Sequence, residues 1–165
     1  MIRVALTVLL AVALLAAATP ALEDARASTT AERLDAETDR VERVIGAFVA
    51  GSVSVSDPAL AAQTSVTVRA PSGFGAAPID RLALVETAAT AEAERTSTDV
   101  GEASVALRYR IGGGPERTVP IAPGGVGATV AIDSGAVALR PGGESRLRLR
   151  LVDDGEPTVR IARVG

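Results

Sequence analysis

The chain has 165 residues, a net charge of −3 and a pI near 5.1, and is 47% apolar but only 2% aromatic. That leaves room for one domain plus an N-terminal appendage, with a thin core of Val, Leu and Ile instead of large rings and no deep ligand cavity. There is no Cys and no His, which excludes disulfides, thiolate metal sites and cysteine nucleophiles and removes the commonest general base; the acidic balance and missing aromatics argue against nucleic-acid binding.

Met1-Ile2-Arg3 precede an uncharged apolar run from Val4 to Leu22. As a helix this run would be about 28 Å long, against a hydrocarbon core about 30 Å thick. It therefore reads as a membrane segment over residues 1–22. Either it stays as a single-pass anchor, or it is a signal peptide with Val4 to Ala18 as its apolar part and cleavage after Ala18, Ala21 or Ala27. Arg3 lies before the run and Glu23-Asp24 after it, so the positive flank stays inside and the rest of the chain faces outward under both readings.

Residues 23–50 follow as an amphipathic stalk helix. Heptad spacing selects Ala27, Ala31, Leu34, Thr38, Val41, Ile45 and Phe48, with charged residues such as Glu32, Arg33, Asp39 and Arg43 between them. The expected use of this seam is to dock onto the protein's own sheet, strengthening towards Phe48; pairing with a partner helix is the alternative. Pro20 near the junction would remove one helical hydrogen bond and favour a kink. Gly51-Ser52 and Asp57-Pro58 stop the helix.

Residues 58–165 change from period 3.6 to period 2. The pattern predicts strands over Thr64–Ala70, Asp80–Thr87, Ser104–Ile111, Arg117–Ile121, Ala128–Ile132, Ala136–Arg140, Ser145–Val152 and Thr158–Val164. They are separated by turn clusters such as Pro71-Ser72-Gly73, Gly112-Gly113-Gly114, Pro123-Gly124-Gly125 and Asp153-Asp154-Gly155. Ala88 to Gly101 reads as an exposed loop or short helix. The fold class is α+β: a membrane and stalk helix, then a mainly antiparallel β-meander or small β-sandwich.

Two strands alternate arginine with apolar residues. Arg146, Arg148 and Arg150 alternate with leucines, and Arg108 and Arg110 with Leu107, Tyr109 and Ile111. Alternation turns the arginines to solvent. If the strands are neighbours, all five share one face, either an ordinary solvated surface or a docking surface for an acidic partner or anionic polymer. Elsewhere chemistry is sparse. No Lys accompanies the missing His, so no base beyond carboxylates could activate a nucleophile. Asp153, Asp154 and Glu156 could hold a hard cation weakly, but their position marks a turn. Gly112-Gly113-Gly114 lacks the following Gly-Lys-Ser/Thr of a phosphate loop. The expectation is no enzyme, no cofactor and no metal.

All 17 basic residues are Arg, and Asn is absent, so no N-glycosylation acceptor exists. This usage, with abundant Ala, Val, Gly and Thr, suggests a GC-rich genome and, with the acidic pI, a salt-adapted prokaryote. The order of Met1-Ile2-Arg3, apolar run, Pro20, Glu23, amphipathic helix and β-domain resembles membrane-anchored proteins of halophilic archaea associated with type IV pilus-like gene clusters. It is also similar to the layout of type IV pilins and pseudopilins, an extended N-terminal helix capped by a β-sheet. Here only three residues precede the apolar run, and the first acid, Glu23, follows it instead of lying within it. The resemblance implies an accessory component of a surface appendage or secretion system, with envelope or pilus-assembly proteins as partners. An independent ligand- or partner-binding β-domain is the alternative.

Overall fold

The computed structural model describes residues 2–87, 105–122 and 127–164. One helix, α1 (Ile2–Ala50), carries both the apolar run and the stalk. It runs through Pro20, whose missing N–H leaves the carbonyl of Ala16 without a helical donor. Thr7 and Thr19 donate their hydroxyls to the carbonyls of Arg3 and Leu15, so the polar side chains of the run are satisfied within the helix. The helix is long and apolar enough to cross a membrane, and its apolar N-terminal part is buried by no described residue. Its last carbonyls are capped by the amides of Gly51 and Ser52, where the glycine ends the helix as the sequence suggests.

Eight strands follow among the described residues: β1 (Ala62–Ala70), β2 (Ile79–Glu86), β3 (Val105–Ile111), β4 (Glu116–Ile121), β5 (Thr129–Ile132), β6 (Ala136–Ala138), β7 (Gly143–Asp153) and β8 (Pro157–Arg163). Each falls on one of the eight strands read from period-2 patterning, with ends shifted by a residue or two. The segment 88–101 and the turn at 123–125 lie outside the described residues. The fold is α+β, but the strands do not form a simple meander. They make two four-stranded sheets, β1-β7-β8-β5 and β4-β3-β2-β6. Every pairing is antiparallel except β5 with β8, because β5 crosses to the first sheet instead of following its neighbour β4.

The inner faces share one core. Leu147, Leu149 and Leu151 of β7 and Val159 and Ile161 of β8 meet Leu82 and Leu84 of β2 and Leu107 and Tyr109 of β3. The helix completes this core along one open side. Ala31, Leu34, Val41 and Ile45 are buried in it, with Leu34 and Ile45 at 0% exposure. The heptad seam thus docks on the protein's own sheets. Phe48, expected as its strongest member, packs against this core but is only partly buried, and the fully buried members of the seam are Leu34, Val41 and Ile45.

The helix also covers two sheet edges. Glu37 Oε1 accepts from the amide of Arg69, and Arg40 donates to the carbonyl of Thr67, both on the outer edge of β1. Glu42 Oε1 accepts from the amide of Ala122, just past β4. Unpaired edge groups invite strand addition by another chain. Here charged helix side chains occupy them, which explains why the polar stalk face carries these residues. Buried Thr30 and Thr38 are satisfied too: Thr30 accepts from the amide of Ala77, and Thr38 donates to the carbonyl of Leu34.

Candidate functional site

Strict alternation turns the arginines of β3 and β7 outward while the leucines between them fill the core. The two strands belong to different sheets, so Arg108 and Arg110 lie on one outer face of the sandwich and Arg146, Arg148 and Arg150 on the opposite one. The expectation that all five share a face is therefore corrected. Alternation shows which way a side chain points; strand neighbours are set by long-range pairing, which alternation does not encode.

The two faces differ in charge balance. On the β3 face, Glu116 of β4 sits across from Arg110 and is ringed by Arg108 at 3.5 Å, Arg110 at 3.7 Å and Arg81 at 3.9 Å. One carboxylate serves three guanidiniums. On the β7 face the outer cations are paired individually. Arg69 binds Glu144 at 2.9 Å, and Arg160 binds Asp154 at 2.9 Å and Asp133 at 3.6 Å. Each of these two arginines has its pKa raised, first by the hydrogen bond to its carboxylate and then by the attraction of that charge. Between them, Arg146, Arg148 and Arg150 form no ion pair with any described residue. Their cross-strand neighbours on β1 are Thr67, Ser65 and Gln63, all neutral and hydrogen-bonding. Arg150 is half-buried, and its Nε is buried with no hydrogen-bond partner. A row of three unpaired guanidiniums beside hydroxyls and an amide is able to bind anions; it contains no nucleophile or base arrangement.

The acidic turn is engaged internally. Asp153 Oδ1 accepts from the amide of Gly155, whose φ of 102° suits only glycine, and Asp154 is taken by Arg160. Among the described residues, no group of three acidic side chains gathers closely enough to hold a metal.

One feature escapes sequence reading. Tyr109 reads as an inward core residue, and its side chain is buried, but its hydroxyl reaches Asp35 Oδ1 of the helix at 3.3 Å. Burial raises the phenol pKa, the negative charge of Asp35 raises it further, and Arg117 opposes the shift. Tyr109 and Arg117 border an open groove of about 810 Å³ between Glu23–Ala31 of the helix and the loops at 76–80 and 112–115. A buried tyrosine hydroxyl needs a partner; the sequence signals that need but not the partner, because Asp35 lies 74 residues away.

The family model for the domain described as Domain of unknown function (DUF7311) matches residues 1–164, so the chain belongs to that family. No curated protein and no solved structure matches it.

Proposed function

We propose that the protein is a non-enzymatic envelope protein: residues 4–22 hold it in a membrane with the N-terminus inside, and the β-domain stands on the outer side and binds an anionic partner through Arg146, Arg148 and Arg150. Orientation is supported by Arg3 before the span and Glu23-Asp24 after it. The observation that carries the binding role is the unpaired arginine row, in a chain whose other outer-face arginines on that sheet each have a carboxylate. Alternate residues of a strand are about 6.6–6.8 Å apart. The row therefore suits an extended acidic segment or a linear anionic polymer, with Ser65 and Thr67 adding neutral hydrogen bonds.

The test is binding of a poly-glutamate peptide to the full chain in detergent micelles, with Arg146, Arg148 and Arg150 all changed to Gln. Loss of about tenfold in affinity, ~1.4 kcal/mol, is expected, with little change when Arg108 and Arg110 are replaced. Equal losses from both faces would remove the special role of the β7 row. The unbroken passage of α1 from the apolar run into the β-domain favours a second reading, an accessory component of a surface appendage or secretion system. Co-purification with an assembly ATPase or membrane platform supports that reading, and release of the domain into the medium as a monomer counts against it.

A further inference from the structure

We propose that the loop between β1 and β2, residues 71–78, is a second membrane contact, with Phe74 seated in the headgroup region of the bilayer beside Arg26; this rests on residues 4–22 being a retained membrane span.

Phe74 is the most exposed large apolar residue described, at 91%. A single exposed apolar residue ordinarily means little. This one has a specific place. Its ring lies 4.8 Å from the guanidinium of Arg26, in a cation–π contact. The loop is fixed to the helix just beyond, where the amide of Ala77 donates to Thr30 at 2.9 Å. The loop is thus held at a defined height along α1, at the end of the domain where the apolar run begins.

That height can be placed against a bilayer. With Val4 to Leu22 spanning the hydrocarbon, Arg26 lies four residues past the last apolar position, about 6 Å along the axis. A bilayer about 40–45 Å thick with a core about 30 Å thick leaves roughly 5–7.5 Å of headgroup region on each side. Arg26 and the ring beside it fall inside that layer. Helical side chains tilt towards the N-terminus, here towards the membrane, which brings the guanidinium lower than its own backbone. Arg26 can then meet lipid phosphates while its stem and the Phe74 ring meet the upper acyl chains.

The loop's composition agrees. Pro71, Ser72, Gly73, Phe74, Gly75, Ala76, Ala77 and Pro78 carry no charge, and Ser72 is the single polar side chain. Gly73 has φ of 92°, so the chain turns there and presents Phe74 at the tip. Val53, also exposed at 80%, follows the opposite, C-terminal end of the helix, roughly 27 residues (about 40 Å along the axis) from Arg26. A contact by the loop in addition to the helix fixes the rotation of the domain about α1. It therefore sets which way the β7 arginine row faces above the membrane.

The chain has no Trp, so Phe74→Trp creates a single reporter at the loop tip, and Val53→Trp a control at the far end. The full chain is reconstituted into phospholipid vesicles, with and without lipids brominated near the headgroup end of the acyl chain. Vesicle flotation tests the span independently. The expected result is flotation of both variants, with blue-shifted and strongly bromine-quenched emission at position 74 and water-like, unquenched emission at 53. Flotation with unquenched emission at 74 overturns the inference while leaving the anchor standing. Failure to float overturns the anchor reading and the inference with it.

Discussion

The two halves of α1 share one helix and differ in what surrounds them. In residues 4–22 the large apolar side chains lie all round the axis and are 52% to 69% exposed. In residues 30–48 they are confined to a stripe, and Leu34, Val41 and Ile45 are buried. A helix that is apolar on every side cannot hide itself against a single flank of a small sandwich, whereas a striped one can. The domain's own core therefore begins near Thr30, and no described residue buries the run before Leu22. The run is long and apolar enough to cross a bilayer.

Truncation in the two halves tests that division most strongly. Leu34→Ala and Ile45→Ala remove side chains with no exposure and should each cost the domain about 2–5 kcal/mol. Leu10→Ala should leave domain stability unchanged, since that side chain touches no part of the core. Phe48→Ala should fall between them, at about 1–2 kcal/mol, because only part of its ring leaves water. Denaturant titration of the full chain in detergent micelles, followed by circular dichroism, ranks them. Similar losses at Leu10 and Leu34 would abolish the distinction between the halves.

A smaller effect tests the docked half's second task. Glu37→Ala removes the acceptor for the Arg69 amide and the 2.7 Å partner of Arg40. The expected cost is about 1–2 kcal/mol for the lost hydrogen bonds. A further expected consequence is concentration-dependent self-association, because the β1 edge becomes available for strand pairing. Light scattering across a dilution series reads this directly. A variant that is destabilised but stays monodisperse would show that the helix backbone alone shields the edge.

Much of this architecture was legible in the sequence, for identifiable reasons. Period-2 alternation with Gly- and Pro-rich turns located each of the described strands, because alternation and turn chemistry are local properties. The stripe from Ala31 to Ile45 signalled a docked helix for the same reason. Strand order was not legible: nothing between Arg108 and Arg150 states that β3 and β7 belong to separate sheets, and the imagined five-arginine face depended on that. The partial burial of Phe48 was also hidden, since it depends on tertiary packing and not on the heptad. The sequence offered Arg146, Arg148 and Arg150 only as part of a five-arginine face; they stood apart from Arg108 and Arg110 once pairing showed that Glu116 attends the other face and that Ser65 and Thr67 lie beside Arg148 and Arg146.

The gentlest probe of the helix–sheet contact is the titration of Tyr109, the chain's only tyrosine. Its phenol is raised above the ordinary value of about 10, first by burial and then by the charge of Asp35. Since the folded pKa exceeds the unfolded one, the associated stability is fully present below about pH 10 and is lost as pH rises through the folded value. Ultraviolet absorbance of the phenolate should therefore show a midpoint on the alkaline side of a free tyrosine, with the domain losing stability over the same range. Removing the opposing cation by Arg117→Gln should move the midpoint higher. Asp35→Asn should move it lower without returning it to the free value, because burial, the larger cause, remains. The order of these shifts matters more than their size, since it depends on α1 holding Asp35 against Tyr109 while β4 presents Arg117 to it. If neither substitution moves the midpoint, the helix does not meet the sheet at this place, and the docked half of α1 would have to be assigned a different register.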